Sequence, residues 1–162
     1  MKNELVVSRI FNAPIENVWK VWTDPEYVKR WWGPDRFTCP SAEIDFREGG
    51  RSVVCMRSPK EMGNQDMYSI WDYKKIIPMK TIEFVQNLAD KSGKKMLPGD
   101  LGMPPDFPVD VRTVVEFKEI GKNQTEMIVT EYADFGSISH FAKLGLEQSM
   151  DKAVSVFATQ SK

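Results

Sequence analysis

Apolar and polar positions alternate with a period of two over residues 41–47, where Ala42, Ile44 and Phe46 interleave with Glu43, Asp45 and Arg47. That period is a strand with one wet face. Glu48-Gly49-Gly50 follows as a hairpin turn signal, and residues 51–58 form the return strand. Residues 66–77 and 80–87 read as two more strands, separated at Pro78. Residues 110–119 and 124–132 make a last hairpin around Gly121-Lys122-Asn123, with Val111, Thr113, Val115 and Phe117 as its inward set. The chain opens on a strand at 4–11, rich in β-branched residues.

Elsewhere the period is helical. Ile15, Val18, Trp19 and Trp22 fall on one face from Pro14, which suits a first helical turn because its missing N–H would be unpaired there. Asp24-Pro25 repeats the signal for a short second helix to about Arg30, closed by Gly33-Pro34. Residues 139–158 form one long stretch, about 30 Å at the helical rise. About seven antiparallel strands with three helices on one face give an α+β domain.

The long helix turns an unusual face inward. Ala142, Gly145, Ser149 and Ala153 occupy its middle, flanked by Leu146, Met150 and Phe157 on one side and Phe141 and Val156 on the other. Either the helix backbone approaches the sheet closely, or the bulky flanks hold it off and leave a cavity. Gly145 costs about 1 kcal/mol of helix propensity relative to Ala, which both readings accommodate. A sheet of seven strands curls, and a curled sheet gripping a helix makes a concave trough, so the cavity is the expectation. Residues 88–109 carry Pro98, Pro104, Pro105 and Pro108 with Gly93, Gly99 and Gly102. Such a long loop is either a surface insertion or a lid.

Charge narrows the function. Lys and Arg total 22 against 23 Asp and Glu, a net charge of -1, so there is no electrostatic footprint for nucleic acid and none is expected as a partner. No apolar run approaches the ~20 residues of a membrane helix, and the start lacks the apolar core of a secretory leader, so no membrane insertion is expected. Cys39 and Cys55 read as reduced thiols of a cytoplasmic protein. With His140 they cannot fill a zinc site, so no metal and no cofactor are expected.

Catalytic chemistry has few candidates. His140 is the only histidine; Ser137, Ser139 and Asp134 lie too near in sequence to converge on it as a triad, and the serines suit helix capping. No catalytic residue is therefore assigned. Arg51, Arg57, Asp72, Arg112, Glu116 and Glu131 fall within strands, mostly on the wet face. One that pointed inward would mark a site. The alternation alone does not say which, since one bulge reverses it.

The run Arg9-Ile10-Phe11-Asn12-Ala13-Pro14, then Val18-Trp19, Trp22-Thr23-Asp24-Pro25 and Trp31-Trp32-Gly33-Pro34, closely resembles the Hsp-90 ATPase activator homologue-like branch of the START-like superfamily, which includes polyketide cyclases and lipid-transfer proteins. Phe46-Arg47-Glu48-Gly49-Gly50-Arg51 is similar to its arginine–glycine-glycine hairpin, and Ile76 to Phe84 to its following strand pair. The match covers essentially the whole chain, as a single START-like domain over 1–162. The resemblance implies a helix-grip fold with an apolar cavity between a curved sheet and the C-terminal helix. Trp71 stands where the family often has a small Gly, which would reshape the cavity, and Met79 replaces a second proline.

The expected ligand is a hydrophobic small molecule, lipid-like, polyketide-like or aromatic. Ala142, Gly145, Leu146, Ser149 and Ala153 would form the roof of its site; Val54, Met56, Trp71, Tyr73, Phe84, Val115 and Phe117 the floor and walls; Trp32 one end; and 88–109 the gate. The alternatives are a cyclase- or dehydratase-type enzyme acting in that cavity and, implied only by the resemblance, a domain that stimulates a chaperone ATPase.

Overall fold

The structure is a computed structural model that describes residues 4–160, with side chains as far as Phe157. The expectation of one domain over 1–162 therefore includes residues 1–3 and 161–162, which lie outside the described residues. The chain runs β1 (Leu5–Phe11), α1 (Ile15–Thr23), α2 (Pro25–Trp31), β2 (Ala42–Glu43), β3 (Arg51–Arg57), β4 (Asp66–Ile77), β5 (Thr81–Ala89), β6 (Val111–Gly121), β7 (Gln124–Tyr132) and α3 (Ser139–Gln160). Among the described residues, seven strands make one antiparallel sheet in the order β1-β7-β6-β5-β4-β3-β2, with β1 and β2 at its edges. This is the helix-grip arrangement.

Local chemistry sets the helix boundaries. Asp24 ends α1 by donating its N–H to Lys20 O, and its carboxylate accepts the Glu26 N–H at 2.9 Å to start α2. Pro25 then occupies a first-turn position of α2. The apolar stripe of α1 buries Val18, Trp19, Val21 and Trp22 against the sheet.

Two boundaries differ from the sequence reading. The strand expected through Phe46 is only Ala42–Glu43, because the chain then turns tightly: Ser52 Oγ accepts Asp45 N–H, Arg47 N–H goes to Asp45 O and Gly50 N–H to Arg47 O. Ile44 and Phe46 still pack on the core. β5 runs to Ala89, since Met96 N–H bonds Leu88 O and Lys95 bridges Ala89 beyond its expected end.

The concave face is filled at one end by aromatic rings. Trp22 lies 4.7 Å from Trp31 and 5.2 Å from Trp71, centroid to centroid, and Trp71 stands 5.2 Å from both Trp32 and Phe84. Trp19 packs at 5.0 Å on Phe117. The C-terminal half of α3 closes on this core: Phe157 meets Phe11 at 5.7 Å and Tyr27 at 5.9 Å. Arg9 pairs with Asp151 at 2.7 Å, and Lys152 Nζ donates to the carbonyls of Pro34 and Phe37, both at 3.2 Å. Helix α3 is thus clamped on β1 and on the segment after α2.

Candidate functional site

The register gives each inward position. Phe84 on β5 faces Thr113 on β6, Thr113 faces Glu131 on β7, and Glu131 faces Leu5 on β1, one continuous row on the concave side. Glu131 shares its strand face with Thr125, Met127 and Val129, all buried. Among the described residues its carboxylate has no hydrogen-bond or ion-pair partner, and the Thr113 hydroxyl donates to Val111 O instead. Burial alone pushes its carboxyl up from 4.5 to about 7. Yet Glu131 is only half-buried.

Two recesses stand out, and Glu131 lines neither. Where the first turns of α3 leave the edge of β1, a recess of about 660 Å³ is lined by Leu5, Ala133, Phe135, His140, Lys143 and Glu147 among others. At the far ends of β3 and β4 a second, of about 510 Å³, is lined by Phe37, Met56, Met62, Met67 and Leu101. Methionine side chains adapt to ligands of varied shape.

The long connection between β5 and β6 is fastened at both feet and at its tip. Asp90 Oδ1 accepts from the Ser92 N–H and hydroxyl and from Lys94 N–H. Asp110 exchanges hydrogen bonds with Asn87 and binds Lys95 at 2.8 Å. At the tip, Asp106 accepts both the N–H and the hydroxyl of Ser137, and Phe107 stands 6.4 Å edge-on to Phe135. Gly136, with φ +57°, leaves room for that carboxylate, which any side chain there would strike.

The model of the family described as "Activator of Hsp90 ATPase homolog 1-like protein" matches residues 12–158. The chain belongs to this family. No curated protein matches it in sequence. Among solved structures it is similar to a protein of Mycobacterium smegmatis, at 20% identity and TM-score 0.76 over 99% of this chain and 91% of that one. A protein of Chromobacterium violaceum gives 21%, 0.75 and 96% of each chain. The AHSA1 protein of Silicibacter pomeroyi gives 16%, 0.74, and 97% and 99% coverage. At these identities the likeness is one of fold.

Within this AHSA1-like chain the residues expected around a ligand divide into two groups. Val54, Trp71, Tyr73, Phe84, Val115 and Phe117 all lie on the concave face, but they are buried in the core that α1 and α2 help to close. Trp32 sits against Trp71 in the same cluster, and Ser149 and Ala153 are buried in α3. Met56 is half-buried and lines the 510 Å³ recess. Ala142, Gly145 and Leu146 are half-buried on the N-terminal half of α3. A Cβ on Gly145 would stand 3.8 Å from Pro34 Cβ, so that position faces the segment after α2.

The indole nitrogens of Trp32 and Trp71 are buried without hydrogen-bond partners. Their rings meet at 77°, edge toward face. His140 is exposed, Ser137 is engaged by Asp106 and Asp134 caps Gly136 N–H, so no triad assembles. Arg51, Arg57 and Arg112 pair across strands with Asp72, Asp66 and Glu83. Of the strand charges singled out from sequence, Glu131 is the inward one. The alternation Thr125, Met127, Val129, Glu131 carried that signal in the sequence. Leu5 and Phe135, which line the recess beside β1, were not among the residues expected around a ligand.

No helix among the described residues is long and apolar enough to cross a membrane.

Proposed function

We propose that this AHSA1-like domain binds an apolar small molecule, lipid-like or aromatic, in the hollow under the N-terminal half of α3. The observation that carries the reading is the recess bounded by Leu5, Phe135 and the first turns of α3, with the inward, half-buried Glu131 opposite Leu5 in the register. Apolar walls supply the favourable transfer of a ligand from water, and a few polar groups orient it. Leu146 and Ala142 roof this half, Met56 lies at the other mouth, and the aromatic cluster forms a rigid end wall. The 90–110 connection acts as the lid, its tip tied to the start of α3 by Asp106. Two buried, unpaired thiols, Cys39 and Cys55, suit a reducing cytoplasmic setting.

The experiment is mass spectrometry of compounds extracted from purified protein, with displacement of an apolar fluorescent dye by whatever is recovered. Co-purified apolar compounds that displace the dye support the reading. Dye that never binds, in protein shown to be folded, contradicts it.

A second reading rests on the same carboxyl. A group that titrates near neutrality inside a cavity can move a proton, as a dehydratase or cyclase requires. Glu131→Gln would then abolish turnover while ligand binding persists. Stimulation of an Hsp90 ATPase, the activity in the family's description, is separated from both by a rate assay with that chaperone.

A further inference from the structure

We infer that the recess at the ends of β3 and β4 is a separate site for a flat aromatic molecule, held among three methionine thioethers. It goes beyond the hollow beside β1 and rests on the lining of its own recess. Met56 of β3 and Met67 of β4 are direct partners in the sheet register, so their side chains leave one face side by side. Met62 comes from the turn between those strands and lines the same space of about 510 Å³. Small-molecule sites run from about 300 to about 1,000 Å³, so the space is of the right size. Gly33 shapes the inner wall. With φ +111°, a Cβ there would lie 3.0 Å from Phe37 Cβ and 3.3 Å from Met56 Cγ, so its bareness lets both side chains pack over it. The lips are apolar and open to water, Met62 being 58% exposed and Leu101 39%.

The walls are fastened and the carboxylates are engaged. The Ser58 hydroxyl accepts the Gln65 N–H at 2.8 Å and donates to Met62 O, and Ser58 N–H bonds Gln65 O, which holds the turn that carries Met62. Arg36 pairs with Glu61 and ties that turn to the segment that carries Phe37. Asp66 gives both oxygens to Arg57, and Asp90 Oδ1 accepts from Ser92 and Lys94. What remains for a guest is apolar, polarisable surface: three thioethers, the Phe37 ring and Leu101. A thioether sulfur gains from an aromatic ring about 5 Å away what a saturated ring of the same outline does not give. Summed over three sulfurs on a pre-set wall, that gain selects aromatic rings over saturated skeletons.

The test is titration of the full chain, with isotope-labelled methionine methyl groups, by 2-naphthol and by decahydro-2-naphthol, the same skeleton without aromaticity. The inference expects saturable shifts of the Met56, Met62 and Met67 methyls, with Met79 in the β4–β5 turn unmoved. It expects 2-naphthol to bind about tenfold tighter than its saturated counterpart. Met62→Leu and Met67→Leu keep the volume and remove the sulfur. Each should shrink that preference while the saturated probe binds as before, and Met79→Leu should behave as the parent. Equal affinity for the two probes, or a preference that survives both replacements, overturns the aromatic selection. Shifts at the amides of Leu5, Phe135 and Ala142 with the three methyls unmoved put the probe in the hollow beside β1 and overturn this site. Absence of binding by folded protein overturns it as well.

Discussion

Asp106 reaches 31 residues along the chain to take the backbone N–H of Ser137 at 2.8 Å and its hydroxyl at 3.2 Å. These bonds, the backbone one foremost, hold the Asp106 carboxyl below its usual range. They join the tip of the longest connection to the segment that leads into α3. Asp106→Ala should free that tip. Amide exchange should rise across residues 96–110 and at 136–140, and bound dye should leave faster, with little change in the β4–β5 amides. A carboxyl depressed in the folded state lends stability above its unfolded pKa and loses it as pH falls through the folded value. Loosening of the tip in the parent protein should accordingly appear on acidification below the ordinary carboxylate range.

Gly136 should tolerate no side chain. Its φ of +57° and the Asp106 carboxylate packed on it both oppose a Cβ. Gly136→Ala should lower stability by more than about 1 kcal/mol in denaturant unfolding and reproduce the exchange pattern of the Asp106 variant.

Glu131 should make the protein less stable as pH rises. A carboxyl raised from 4.5 to about 7 in the folded state contributes stability that is complete below its unfolded pKa and is lost as pH climbs through about 7. Glu131→Gln should flatten that slope and gain on the order of 2–3 kcal/mol at about pH 8, read from urea midpoints across pH.

Gly145 should accept alanine. Its would-be Cβ meets Pro34 at ordinary contact distance, inside a helix where glycine is costly. Gly145→Ala should stabilise by about 0.5–1 kcal/mol without altering dye binding. Trp71→Ala should do the reverse, costing about 3–5 kcal/mol, because Trp71 is fully buried among Trp22, Trp32 and Phe84.

The thiols should be inert in the native state. Burial pushes Cys39 up to about 11 and raises Cys55 as well. A thiol reagent at about pH 8 should label neither until the chain is unfolded in urea.

Elements with strong local signals were legible in the sequence. Pro14 and the Asp24-Pro25 pair mark both short helices, and the alternation in Val111, Thr113, Val115 and Phe117 gives the inward face of β6 correctly. The two-residue β2 was not legible, because a side-chain acceptor, Ser52 Oγ, ends the ladder where the hydrophobic pattern continues through Ile44 and Phe46. Nor was the Asp106–Ser137 tie, made by loop geometry that carries no periodicity. The site reading leaned on the small stripe of α3 and on the aromatic supply. Packing of α1 and α2 onto Trp71 and Phe84 depends on contacts between distant segments, so no window of sequence shows that this end of the trough is filled by the protein's own rings. Glu131 was readable by counting in twos from Thr125.

Amide chemical-shift mapping of the full chain during titration with 1-octanol tests the hollow most directly. The account requires shifts concentrated at Leu5, Thr113, Glu131, Phe135, Ala142 and Leu146, saturating with a single constant. Shifts confined to exposed apolar positions such as Ile10, Ile120 and Phe141, rising linearly without saturation, would contradict it.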